Sequence, residues 1–444
     1  MVAKKEKEKK EKKELVPTVR RRADELVARL KRNNEERDVY CASDLMKNWR
    51  FIDFRNPGAN MPAISLEWFF GARGLLAGRI MRLQAKYGVG KSSFMWLIYA
   101  AGQAQGCDAY CYHIESEAAP PPPDFIWSFG CDPSKLVTEQ PKSLEQCLGY
   151  LDEVVAEIRG GLKGGINPET GKQMKSKFTD PLDPNMEVPI VVGVDSMSAL
   201  GLETAVETDI LDMKATSALA LHSRKLGEYF RNRSERFKKT QTLLMIAAQE
   251  KAVIKTGGNF APGAHDGKTA SSLGDSPIGF HSTYSVDLRN NPYRNKETGE
   301  NIGERITCNT SKNKLSPKNR TLELYLVRDH GFDLVKTDVE FLSSYPQSPL
   351  AGNISRSSHG LKCTLVSDKW FKDDLEFLQT FYSNHDLVMA CREKLRVRGF
   401  GFNFETKYMP SITEIEDNKE SAESDLHGVT PSGLEGSTGE IPQG

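Results

Sequence analysis

Long apolar runs are missing from this 444-residue sequence. With no run of about 18 apolar residues, the sequence predicts no membrane-spanning helix. The first residues, MVAKKEKEKKEKK, have no apolar centre of the kind that secretory signals carry, so a signal peptide is not expected. The eight cysteines are scattered and form no C-x-x-C pair. Their pattern is typical of free thiols in a reducing compartment rather than of a metal site.

An excess of one charge is also absent overall, because 60 Lys and Arg balance 60 Asp and Glu. The two ends of the chain nevertheless carry opposite net charges. Residues 1–13 carry seven Lys and three Glu, a net +4, whereas residues 411–444 carry eight acidic residues and one Lys, a net −7. Such ends are typical of solvated disorder, and the open alternative is an acidic tail that competes with a polyanion for a basic surface.

One glycine-rich stretch carries the strongest motif of the sequence, AKYGVGKSS at residues 85–93. It follows the phosphate-loop (Walker A) pattern G-x-x-x-x-G-K-[ST], except that Ala85 replaces the first Gly. A predicted strand at 79–84 precedes it and a predicted helix at 92–104 follows, which is the setting such a loop requires. A chance glycine-rich turn is the alternative. The predicted nucleotide-binding residues are Ala85, Gly88, Val89, Gly90, Lys91, Ser92 and Ser93.

From about residue 62 to 335, apolar strand patterns alternate with amphipathic helix patterns. This alternation predicts an α/β fold with a mostly parallel central sheet and helices on both faces. The strands are predicted at 79–84, 109–114, 189–194, 242–248, 283–289, 305–310 and 321–327, and the helices at 92–104, 143–159 and 213–232.

Other segments break this alternation. The Gly/Pro/Lys-rich segment 160–187 predicts an inserted surface loop. Outside the core we expect five further features: a disordered basic head at 1–17, an amphipathic N-terminal helix at 18–34, its linker to residue 61, a small mixed domain at 336–410 and a disordered acidic tail at 411–444.

Three predicted strand ends carry the groups that an ATPase needs. Asp195 ends an apolar strand, where it can support Mg²⁺ together with Ser92. Glu117 follows the strand at 109–114, where it can polarise an attacking water, and Gln249 can hydrogen-bond the γ-phosphate. Each acid alone is more simply a strand-end cap. The three in this order predict ATP hydrolysis.

Together these segments resemble the RecA family of recombinases. The similarity runs through the stretch from Ile64 to Ile80, then Ile114-Glu-Ser-Glu117, Gly130 to Pro141, Val194 to Leu200 and Leu243 to Gln249. The most discriminating piece is Lys312-Asn-Lys314, which stands where the family has a Lys-Asn-Lys before a strand. The resemblance covers roughly residues 20–340 and is that of a divergent, phage-type member.

The resemblance implies a RecA-like ATPase core that uses ATP and Mg²⁺. It implies filaments of this chain on single-stranded DNA, pairing with duplex DNA and strand exchange, in a bacterial or phage-infected cytoplasm. Within it, Lys91, Glu117 and Gln249 act on the bound ATP, while Lys312 and Lys314 reach the ATP held by the next subunit. Phe125 takes the place of the family's adenine-stacking Tyr, whereas the Asp that contacts adenine has no clear counterpart.

The resemblance also places two DNA-binding loops, at Glu203–Lys214 and Glu250–Leu273. Its predicted DNA contacts are Arg224, Lys251, Ile254, Lys255 and Gly274. Phe280 stands at a family subunit interface, and burial in the core is an equal alternative. The shared core is also found in hexameric helicases, so a ring-shaped motor is the alternative function; Lys312 and Lys314 favour the filament.

Overall fold

The structure is a computed structural model that describes residues 25–30, 32, 50–56, 61–104, 110–116, 121–159, 179–180, 183–203, 215–252, 269–270, 275–295 and 298–398. The chain divides into two units after Gly399, and the described residues all lie in the first. Within the described residues, no helix is long and apolar enough to cross a membrane.

Twenty strands are present in the described residues. They are β1 (Phe51–Asp53), β2 (Arg55–Asn56), β3 (Met61–Pro62), β4 (Gly74–Leu76), β5 (Ile80–Ala85), β6 (Tyr110–Glu115), β7 (Leu136–Glu139), β8 (Thr179–Asp180), β9 (Asp183–Glu187), β10 (Ile190–Asp195), β11 (Thr242–Gln249), β12 (Lys251–Ala252), β13 (Thr269–Ala270), β14 (Tyr284–Arg294), β15 (Asn301–Asn313), β16 (Thr321–Val327), β17 (Gly331–Phe332), β18 (Ile354–Ser357), β19 (Gly360–Cys363) and β20 (Ser367–Phe371).

Nine α-helices accompany these strands in the same described ranges. They are α1 (Ile64–Phe70), α2 (Lys91–Gln103), α3 (Pro123–Ser128), α4 (Leu144–Arg159), α5 (Ala215–Lys239), α6 (Asp275–His281), α7 (Leu334–Ser344), α8 (Asp374–Ser383) and α9 (His385–Lys394). Residues 25–30 are helical as well, and there Leu26 is exposed.

Nine strands form the central sheet in the order β17-β16-β15-β14-β5-β11-β10-β6-β7. Every neighbouring pair from β14 to β7 is parallel. The three pairs from β14 to β17 are antiparallel. The prediction of a mixed α/β fold with a mostly parallel sheet is therefore confirmed.

Strand β10 shows why the sheet is covered on both faces. Its alternate residues Ile190, Val192 and Val194 pack into a core cluster with apolar residues of α4 and α5. Gly193 points to the opposite face, where a Cβ would lie 2.2 Å from the Tyr99 hydroxyl of α2. Because successive residues of a strand face opposite sides, a strand that is apolar up to its last residue, Asp195, fits between two helical layers.

The predicted boundaries differ from the observed ones where charged residues mask the pattern. The sequence predicts that helix α5 ends at residue 232, but the helix continues to Lys239. Its last two turns are held by Phe237, which is buried, and by Arg236, which binds Asp152 of α4. Strands β14 and β15 are also longer than the predicted strands, because their distal halves are polar and paired with each other.

The segment 160–187, which the sequence predicts as an inserted surface loop, contains two short strands among its described residues, and its being an insertion stays a prediction. Strands β8 and β9 lie inside it and pair antiparallel. Backbone N–H and C=O groups need partners even in a Gly/Pro/Lys-rich stretch, and a short antiparallel pair supplies them. Residues 160–178 lie outside the described residues, as do the basic head and the acidic tail.

Helices α7 to α9 and the antiparallel sheet β18-β19-β20 follow the central sheet. Helix α7 begins two residues before the predicted boundary at 336. A buried ion pair links this region to α1: the Arg392 guanidinium of α9 donates through Nε and Nη2 to the two Glu67 oxygens, each at 2.8 Å. Burial raises the pKa of Glu67 to about 7, and the hydrogen bonds from Arg392 oppose this shift. The charged form of Glu67 therefore depends on its contact with Arg392.

Replacing Arg392 with Met should test how far α9 is tied to α1. The change leaves the Glu67 carboxylate buried without its main partner, so we expect a loss of about 3–5 kcal/mol in the free energy of unfolding. Urea unfolding measures it. Arg356→Met is the matched control, because Arg356 is exposed in its pairs with Asp374 and Glu340 and should cost less than about 1 kcal/mol. Equal losses would contradict this account.

Candidate functional site

Four parallel strands end at one edge of the central sheet, and their register brings functional groups together. Asp195 of β10 is the register partner of Glu115 of β6. On the other side of β10, β11 ends at Gln249, whose partner is Ala85 of β5. Val194 of β10 pairs with Ile246 of β11, so Gln249 and Ala85 lie about two residues farther along the sheet than Asp195 and Glu115. The four strands thus end in two steps at the carboxyl edge, beyond which open parallel sheets bind ligands.

A glycine-rich turn connects β5 to α2 at this carboxyl edge. Gly88 has φ +72° and Gly90 has φ +88°, conformations that L side chains rarely adopt. Gly90 is also the residue before the first turn of α2, a helix of 13 residues. The Lys91 ammonium folds back and donates to the Lys86 carbonyl oxygen at 3.0 Å. The turn thus directs the amino end of a long helix toward the sheet edge.

A cavity of about 380 Å³ lies between this turn, the strand ends and the strands β15 and β16. Its lining includes six of the predicted site residues: Gly88, Gly90, Ser92, Ser93, Phe125 and Asp195. Ala85, Val89 and Lys91 are buried in or beside the turn and do not line the cavity. Six of the predicted residues therefore share one cavity, and the binding of a nucleotide by the predicted set stays a prediction.

Ser92 and Asp195 are in direct contact inside the cavity. The Ser92 hydroxyl donates to Asp195 Oδ2. Burial raises the pKa of Asp195, the hydrogen bond from Ser92 opposes this effect, and the neighbouring Glu115 adds to it. Glu115 is itself buried and has His113 Nε2 3.6 Å from one carboxylate oxygen. A buried pair of neighbouring acids with one hydroxyl is an arrangement that a cation would stabilise.

Five lining residues were not among the predicted site residues: Trp96, Glu115, Pro121, Glu304 and Leu326. Glu115 could have been found, because it ends a strand in the same way as Asp195. Glu304 and Leu326 come from the antiparallel strands β15 and β16, which no phosphate-loop pattern marks. The Trp96 indole N–H is buried and has no hydrogen-bond partner in the described structure.

The predicted trans-acting lysines lie away from this cavity. Lys312 Nζ donates to the carbonyl oxygens of Gly279 at 2.7 Å and Phe280 at 2.8 Å, near the end of α6. Partial burial lowers the pKa of Lys312, and the positive charges of Lys314 and Arg82 add to the effect. Phe280 is 76% exposed, so the alternative of a core position is wrong. The action of Lys312 and Lys314 on a second subunit stays a prediction.

Part of the predicted DNA-binding and catalytic set cannot be placed. Glu117, Ile254, Lys255 and Gly274 lie outside the described residues. Lys251 belongs to β12, which pairs with β13 at the base of the second predicted loop. Arg224 lies on α5 with an exposed side chain that pairs with Glu228 at 3.0 Å. Most of the first predicted loop, residues 204–214, also lies outside the described residues.

Comparisons with known proteins point to one family at low identity. The chain is 23% identical over 269 residues to the protein RecA of Pseudarthrobacter chlorophenolicus, covering 61% of this chain and 64% of that relative. It is 23% identical over 281 residues to the protein RecA of Paenarthrobacter aurescens, covering 63% and 68%. It is 22% identical over 367 residues to the protein RecA of Francisella tularensis subsp. tularensis, covering 80% and 88%.

No model of a known protein family matches the chain. The first of these matches spans less than two thirds of that relative's length. At this level of identity the matches support a RecA-like family for the chain and leave its activity and partners to be tested.

Replacing Gly90 with Ala should strain the turn without a clash. The nearest atom to an added Cβ is Ile306 Cδ1 at 3.7 Å, so the cost comes from the positive φ and should be about 1–2 kcal/mol of unfolding free energy. The control is Gly149→Ala on α4, where an added Cβ meets nothing within 4 Å. That change should be neutral or stabilise by up to about 1 kcal/mol. Urea unfolding measures both, and an unchanged stability of Gly90→Ala would contradict the turn geometry.

Proposed function

We propose that this protein is an ATP-dependent DNA recombinase that forms filaments on single-stranded DNA, pairs that DNA with homologous duplex and exchanges strands. The observation that carries the proposal is the cavity in which the Gly88–Gly90 turn, Ser92 and Asp195 meet at the carboxyl edge of a parallel sheet. The similarity to RecA proteins across up to 80% of the chain supports the same proposal.

The described residues fit a magnesium nucleotide. The cavity volume is in the usual range for small-molecule sites. A Cβ at Gly88 would meet nothing within 4 Å, which leaves open space beside the turn. A phosphate at the amino end of α2 would meet backbone N–H groups and the positive end of the helix dipole.

The metal would be held mainly through the nucleotide. No cluster of three or more His, Cys, Asp or Glu suited to a metal occurs among the described residues. Mg²⁺ typically takes one or two protein oxygens together with phosphate oxygens and waters, and Ser92 and Asp195 supply those protein oxygens. When bound, the ion neutralises negative charge on the phosphates.

The remaining site residues have distinct proposed roles. Lys91 would exchange its bond to the Lys86 carbonyl for phosphate oxygens. Glu117 would orient the attacking water and accept its proton, while Gln249, at the end of β11, would sense the γ-phosphate. Because β12 follows Gln249 directly and forms the base of the second predicted DNA loop, loss of the γ-phosphate could be relayed to bound DNA.

DNA contact is proposed for the two predicted loops and for Arg224. The exposed Arg224 side chain is the one predicted DNA contact whose side chain is described. Lys251, Ile254, Lys255 and Gly274 would add contacts to the backbone and bases. Lys312 and Lys314 would stabilise charge on the nucleotide of the adjacent subunit.

ATP hydrolysis with and without single-stranded DNA tests the proposed function. We expect strong stimulation by DNA and helical filaments in negative-stain images with a non-hydrolysable ATP analogue. Lys91→Ala should abolish nucleotide binding and both effects, because it removes the charge that holds the phosphates. Lys135→Ala, an exposed lysine outside the cavity, should behave as wild type. Closed rings would favour a hexameric motor, and a lack of nucleotide binding would contradict the proposal.

Subunit mixing tests the trans role of Lys312. Lys312→Ala should lose DNA-stimulated hydrolysis, because the neighbouring site loses a stabilising charge. Mixing it with Lys91→Ala subunits should restore part of the activity, since each defective chain supplies what the other lacks at a shared site. Hydrolysis across a series of mixing ratios is the measurement. Strictly no recovery at any ratio would argue against a site shared between subunits.

A further inference from the structure

The cavity has a second wall that the phosphate-binding residues do not form. Pro121 and Phe125 contribute to it from the start of α3, and Glu304 and Leu326 contribute from β15 and β16. Glu304 and Leu326 are register partners on the two strands, so they present a carboxylate and an apolar side chain next to each other. Three of these four residues are apolar, which suits the faces of a planar base rather than a phosphate.

The position of Glu304 on β15 places it at a distance from the glycine-rich turn. Ile306 reaches to 3.7 Å from the position that a Cβ at Gly90 would occupy. Residues two apart on a strand share a face and are separated by about 7 Å, so Glu304 lies one such step beyond Ile306. The carboxylate is thus displaced from the phosphate end of the cavity, where its negative charge would oppose the ligand.

Asn290 contacts the Glu304 carboxylate. The Asn290 amide of β14 donates to Glu304 Oε2 at 3.1 Å. Each oxygen of a carboxylate can accept more than one hydrogen bond and can donate none. Opposite position 6 of a purine, the carboxylate therefore matches the amino donor of adenine and opposes the carbonyl acceptor of guanine.

We propose that Glu304 is the residue that selects adenine in this cavity, by accepting a hydrogen bond from the 6-amino group while Phe125 and Leu326 pack on the ring. The inference rests on the proposed nucleotide-binding function. Glu304, which lies on β15, would provide the hydrogen-bond acceptor for which the segment near Phe125 has no clear candidate. A site that depends on such a bond discriminates against a base without the donor, since the carboxylate is then desolvated without a partner.

Equilibrium displacement of a fluorescent ADP derivative from the full-length protein tests this proposal without hydrolysis. The competitors are ADP, purine riboside 5′-diphosphate, which lacks only the 6-amino group, and GDP. Wild type should bind ADP at least about tenfold more tightly than purine riboside diphosphate, the effect expected of a charge-assisted hydrogen bond. Glu304→Ala should bring that ratio close to one, and Glu304→Gln, which keeps a neutral acceptor, should lie between.

Glu323→Ala is the matched control, because Glu323 is an exposed residue of β16 paired with Arg305 at 3.5 Å and does not line the cavity. It should keep the wild-type ratio, and circular dichroism should show all variants folded. A ratio near one in wild type, an unchanged ratio in Glu304→Ala, or tighter binding of GDP than of ADP would overturn the assignment. If no nucleotide binds wild type, the proposed function itself fails and this inference fails with it.

Discussion

The parallel register of β5, β11, β10 and β6 is the constraint on which the candidate site depends. Because these strands end at the same edge, Asp195 stands beside Glu115 and Gln249 beside Ala85. A shift of one residue in a pair would turn every side chain of that strand to the other face. In β10 it would place a valine where Gly193 now lies, and a Cβ there would be 2.2 Å from the Tyr99 hydroxyl. The packing of the sheet on α2 therefore also positions the polar groups.

This arrangement is energetically unfavourable for the polar groups, because it buries them. Asp195 and Glu115 are neighbouring buried acids, and burial raises the pKa of Asp195. Neighbouring buried acids are unfavourable unless something compensates their charge, and a cation between them would do so. The positive φ angles of the turn add no such cost, because Gly88 and Gly90 adopt them readily.

Sequence patterns identified those parts of the structure that local chemistry determines. The apolar strands, the turn motif and the strand-end residue Asp195 were predictable because each has a periodicity or a fixed residue type. The second wall of the cavity was not, because Glu304 and Leu326 meet only through the pairing of β15 with β16. The end of α5 was missed for a similar reason: its charged last turns are held by Asp152, far away in the sequence.

Electron cryomicroscopy of the full-length protein with single-stranded DNA, Mg²⁺ and a non-hydrolysable ATP analogue tests the central claim most directly. The account predicts a helical filament with the phosphates at the Gly88–Gly90 turn, Mg²⁺ on Ser92 and Asp195, and Lys312 of the adjacent subunit near the γ-phosphate. Density for the nucleotide elsewhere, or an empty turn in a filament assembled on DNA, would contradict it.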